Sequence, residues 1–186
     1  MKIVVAGIVA GVVVFIWSFV EHTVLSIGRM GVSSLPNEDA IVAVMKQSIH
    51  EPGFYFFPGM DMSKKPTPEE EKAWQAKYTA GPTGVLVYQP KGGQVFSPRQ
   101  LAVELLSDIA AALVAGLVLA QISGGLGMRA FLVALFGLFG WLSITVSYWN
   151  WYGFPGAFSL GEAIDQVVGW FLGGVVLAAM VKRPQA

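Results

Sequence analysis

Four nearly unbroken apolar runs, at 3 to 20, 105 to 122, 130 to 149 and 163 to 181, dominate the chain. Each has about the 20 residues that a helix needs to cross a bilayer core of roughly 30 Å. In lipid every backbone N–H and C=O must be satisfied within the structure itself, and a helix does this alone. The pattern predicts a membrane all-α four-helix transmembrane bundle. Its spans cover 1–27, 98–123, 128–149 and 160–181, with a tail at 182–186. Ser97 is placed to cap the second span and Pro98 to occupy its first turn.

Between the first two spans the pattern changes. In LPNEDAIVAVMKQSIHEPG, Asn37 is the expected cap of a short helix with Glu38 and Asp39 in its first turn and Ile41, Val44, Met45 and Ile49 at helical spacing. This stripe fits a small core of its own better than a membrane surface, because interfacial helices are richer in Lys and Arg. FYFF at 54–57 and VLVY at 85–88 are aromatic and β-branched runs bounded by Gly and Pro, as short pairing strands are. The stretch PTPEEEKAWQAKYTAG between them reads as a helix capped by Thr67, with Pro68 first, acidic residues in the first turn and Gly81 beyond its end. Residues 28–97 are thus expected to form a small extracytoplasmic α+β insertion, too small to be stable alone and resting on the bundle or on the lipid interface.

Basic residues near span ends set the expected orientation. Lys2, Arg129, Lys182 and Arg183 fall on one side of four spans, which predicts cytoplasmic termini in a bacterial inner membrane. The link WNWYGFPGAFSLGE carries no Lys or Arg and agrees with an outside position. No small-x-small cleavage site follows the first run, which reads as a retained anchor. Cysteine is absent, so disulfides and thiolate ligands are excluded. A net charge of zero without a basic stripe argues against a nucleic-acid partner.

Small residues recur at four-residue spacing: Gly7 and Gly11, then Ala112, Gly116 and Ala120, then Gly169 and Gly173. They predict close helix packing within one bundle, and leave a homo-oligomer open. The costly polar residues are Glu21, His22, Glu104, Asp108, Glu162 and Asp165, all expected at the outer end. Asp108 should lie roughly 10 Å below the outer surface, given a 1.5 Å rise per residue. A carboxylate at the bilayer centre costs about 2.5 to 3.5 kcal/mol, and less at this depth, so Asp108 should face protein.

Two readings compete for this set. Acidic side chains favour helix N-termini through the macrodipole, which makes them anchors. Alternatively His22, Glu104, Asp108 and Asp165 line a hydrated pocket that binds a divalent metal ion or relays protons, although the spacing matches no specific metal motif. Trp141, Trp149, Trp151 and Tyr152 form an aromatic group suited to the lipid headgroup region.

The segments FIWSFVEH, LPNEDA, EPGFYFFPG, GPTGVLVYQP, SPRQL and SYWNWYGFP resemble a family of uncharacterised bacterial four-helix inner-membrane proteins over nearly the whole length. The resemblance implies the fold and supplies no reaction, ligand or functional residue. The expected role is a non-enzymatic envelope accessory or interaction protein whose outer segment binds lipid, itself or another envelope protein. The alternative is a small transporter or metal-binding protein using the His and carboxylate cluster. A membrane enzyme has no nucleophile arrangement to recommend it.

Overall fold

The structure, a computed structural model, describes residues 2–61 and 63–182. Its elements in chain order are α1 (Lys2–Thr23), a 3₁₀ turn (Ile27–Arg29), α2 (Glu38–Ser48), β1 (Gly53–Phe57), α3 (Pro68–Ala80), β2 (Gly84–Tyr88), α4 (Pro98–Leu119), α5 (Leu126–Gly140), a π-helical segment (Trp141–Thr145), α6 (Val146–Tyr152) and α7 (Gly156–Met180). Four helices among the described residues are long and apolar enough to cross a membrane: α1, α4, the continuous stretch Leu126–Tyr152, and α7. The chain divides into two units, Met1–Val32 with Val95–Ala186, and Ser33–Gln94.

In the first unit, α1 packs along α4 and α7, and α5 packs along α7. Its core is built from small side chains, with Ala6, Ala10, Ala112, Ala115, Ala178 and Val133 around Leu119 and Leu177. A Cβ added at Gly11 would lie 2.5 Å from Ile109 Cα, and one at Gly137 would meet the Gln166 carbonyl oxygen. The glycines therefore set how closely the backbones approach, as the four-residue spacing predicts. Large side chains point the other way: Val4, Ile16, Leu106, Val114, Phe131, Phe139 and Ile144 are exposed. That inversion of the usual burial order is what an apolar solvent permits.

The helix ends differ from the hydropathy pattern in instructive places. The first helix stops at Thr23 because the chain turns into the 3₁₀ segment, whose entry residue Ser26 is left-handed. The second ends at Leu119, short of Ser123. The third extends to Tyr152, where Gly153 at φ 72° closes it, and the fourth begins earlier than residue 160, at Gly156 directly after Pro155. Arg183 and the rest of the tail lie outside the described residues.

In the second unit, β1 and β2 pair antiparallel with Phe54 opposite Val87 and Phe56 opposite Val85. The Phe54 and Phe56 rings meet edge-on at 4.9 Å. Helix α3 has the expected start: Thr67 accepts from the Glu70 N–H, and the Glu70 carboxylate accepts from the Thr67 N–H at 2.9 Å. Trp74 ties α3 to the end of β1 by donating to the Pro58 carbonyl at 3.0 Å. Two expected caps stand at their N-cap positions without capping through their side chains. Asn37 sits in the left-handed region at φ 49° and Ser97 in the extended region, and neither side chain bonds to its helix. An Asn side chain caps from extended backbone; in the left-handed conformation its oxygen points away from the N–H groups of the first turn.

Candidate functional site

The end of the bundle where α1 finishes and α4 and α7 begin gathers the ionisable side chains. Glu21 and His22 come from the last turn of α1, Glu104 and Asp108 from α4, Glu162 and Asp165 from α7. Asp108 interacts electrostatically with Glu104 and Asp165, and Glu21 with His22, Asp165 and Glu162. Of the four residues first suggested as ligands, Glu104 is exposed, Asp108 and Asp165 are half-buried, and His22 keeps 49% of its side-chain surface. Among the described residues no three His, Asp or Glu side chains form a group that could hold a metal ion.

Glu21 is the residue that the sequence reading underweighted. It is 1% exposed, with Oε1 against His22 Nδ1 and Oε2 lacking a hydrogen-bond partner among the described residues. Its burial comes from chain topology. After α1 the chain folds back through the 3₁₀ turn, whose Ile27 carbonyl lies 3.0 Å from where a Gly161 Cβ would stand on α7. No hydropathy window reports that return. Asp108 Oδ2 and Asp165 Oδ1 are likewise buried without partners among the described residues. Trp17 fixes the level of Asp165 by donating its indole N–H to the Asp165 carbonyl at 3.2 Å, and Gln166 donates to Asp165 Oδ2 at 3.2 Å.

The aromatic residues divide by role. Trp149 and Trp151 are exposed, as a headgroup rim requires, and Tyr152 is half-buried. Tyr148 stacks near Phe154, with ring centroids 5.7 Å apart. Trp141 is different: it is partly buried and donates to the Ser159 carbonyl at 2.7 Å, joining the π-helical segment to α7. That segment lies at the same end as the carboxylates. An extra residue per turn frees carbonyls of the helix ladder and is frequent near functional sites.

The opposite end holds a second buried charge. Arg129, expected near a span end, lies in the first turn of α5 and is 1% exposed. Its Nη1 donates to the carbonyls of Ala178 at 3.2 Å and Val181 at 3.0 Å, and its Nη2 to Leu119 at 3.1 Å. One guanidinium thus satisfies C-terminal carbonyls of both α4 and α7, where the helix dipoles favour a cation. The α4 helix ends at Leu119 where this clamp takes its carbonyl.

Compared with known families, curated proteins and solved structures, the chain matches none.

Proposed function

We propose that the chain is a multi-pass bacterial inner-membrane protein of non-enzymatic character, an envelope accessory whose outer segment presents an interaction surface to lipid or another envelope protein. The observation that carries the reading is the inverted packing: alanine and glycine inside, and valine, leucine, isoleucine and phenylalanine outside, along four helices long enough to span. In this reading both termini lie in the cytoplasm and residues 28–97 outside. The lipid-facing rim is Trp149 and Trp151, and the outer segment adds exposed Phe54, Phe56 and Val87 on its two-stranded sheet.

The absence of cysteine makes the topology directly testable. Single cysteines at Lys91 and Gly125 are treated with a membrane-impermeant maleimide in intact cells. Labelling at 91 and protection at 125 is the expected pattern; the reverse would invert the orientation. Equal labelling of both in cells with an intact membrane would remove the four-span arrangement. The accessory reading also expects Asp108→Asn to change stability alone, so loss of a cellular phenotype at unchanged expression and melting would refute it. The alternative of a small transporter draws its support from the buried, unpartnered oxygens of Glu21, Asp108 and Asp165.

A further inference from the structure

Ionised carboxylates need countercharge, and one imidazole serves three of them here, Glu21, Glu162 and Asp165. Glu21 sits with Glu162 and Asp165 on α7, and Glu104 and Asp108 on α4 couple to Asp165. Arg29, in the adjoining 3₁₀ turn, donates to Ser26 Oγ at 2.8 Å. Glu21 makes the problem acute, since it is 1% exposed and its Oε2 has no partner among the described residues. The Gly28 N–H and His22 serve the carboxylate, but burying it ionised with one oxygen left unpaired still costs free energy. The neutral acid avoids most of that, because its O–H becomes a donor that a neighbouring carboxylate accepts. With no three side chains assembled to hold a metal among the described residues, the cation that fits is the smallest one. A proton needs two facing acceptors and no cavity.

We propose that this end of the bundle is a proton-binding site, in which Glu21, Asp165 and Glu162 hold a proton and His22 exchanges it with water. The inference deepens the transporter alternative and rests on the membrane placement given above. The imidazole supplies the route. Its Nδ1 faces two acceptors, the Ser18 carbonyl at 3.0 Å and the Glu21 carboxylate, so Nδ1 carries hydrogen. The ring packs beside Gly28 and keeps about half of its surface exposed, which gives the imidazole access to water. A proton from water forms Nε2–H, the Nδ1–H bond breaks, and Oε1–H forms on Glu21. The imidazole is neutral again, its bare Nδ1 accepts from the new O–H, and one positive charge has entered the cluster.

The test uses full-length protein purified in detergent from carbonate-washed membranes and followed by infrared spectroscopy at neutral pH. Release of the chain into the carbonate wash would refute the membrane placement, while the spectrum still reads the proton, so the two can fail separately. The expected spectrum contains the C=O stretch of a neutral carboxylic acid that shifts in D₂O. Glu21→Gln should abolish it, and Glu38→Gln on the exposed start of α2 should leave it unchanged. Should Glu21→Gln not fold, Asp165→Asn must shift or remove the same band. His22→Gln should keep the band and slow its exchange with deuterium. A native spectrum of ionised carboxylates only would overturn the proposal. So would a band that survives both carboxylate replacements, unaltered exchange in His22→Gln, or a stoichiometric divalent metal that disappears with Glu21→Gln.

Discussion

Arg129 shows how one side chain closes two helices. Its donated hydrogen bonds go to carbonyls at the C-terminal ends of both helices, the Leu119 carbonyl sharing it with the Ile122 N–H. Arg129→Ala should therefore destabilise the detergent-solubilised protein by about 3 kcal/mol or more, since each charge-assisted bond contributes about 1.5 to 3 and buried carbonyls are left without donors. Arg129→Lys should recover only part of this, because an ammonium lacks the planar fork. Thermal melts of the three proteins decide it, and an unshifted Arg129→Ala would show the clamp to be idle. A second prediction concerns pH. The Thr67 backbone N–H, with Lys64 beside it, holds the Glu70 carboxyl below its ordinary 4.5. A carboxyl lowered in the folded state stabilises fully above its unfolded value and loses that contribution as pH falls through the folded one. The first turn of α3 should fray on acidification below 4.5. The protection of the amides there, measured against the intrinsic exchange rate at each pH, should no longer fall on acidification in Glu70→Gln, which keeps the reciprocal cap without a titrating group.

At the level of elements, glycine contacts decide which helix faces are sensitive. Gly137 and Gly140 lie a turn apart on α5, yet an added Cβ meets the Gln166 carbonyl at the first and nothing within 4 Å at the second. Gly137→Ala should cost about 1 to 3 kcal/mol through overpacking. Gly140→Ala should be neutral or gain up to about 1 kcal/mol from helix propensity. Paired melting curves check both, and equal effects would mean that α5 and α7 are not seated as described. The spans, the two strands and the Thr67 cap were legible in the sequence because each depends on residues close together in the chain. The burial of Glu21 and Arg129 was not. Both sit at helix ends that read as polar boundaries, and their surroundings are made by α7, more than forty positions from Arg129 and more than a hundred from Glu21. The π-helical segment was also invisible, since WLSIT is compatible with an ordinary helix and only the bond to Ser159 shows where it packs.

For the molecule as a whole, the solvent around the helices is the main determinant of what a substitution does. Phe139 is 70% exposed in the middle of the third span. Phe139→Arg should cost about 2.5 to 3.5 kcal/mol of insertion free energy in a translocation assay, which places a cation at the centre of a span. The same change at Ser63 should leave insertion untouched, and equal tolerance at both positions would contradict a lipid-facing Phe139. One consequence concerns how the protein is made. Helix α7 supplies the main packing surface for α5 and two of the three carbonyls that Arg129 grips, and it is synthesised after the other three spans. In the membrane placement proposed above, the third span would wait in the bilayer with an unsheathed guanidinium until α7 arrives. A chain stalled before residue 156 is accordingly a natural client for an insertase or a quality-control protease.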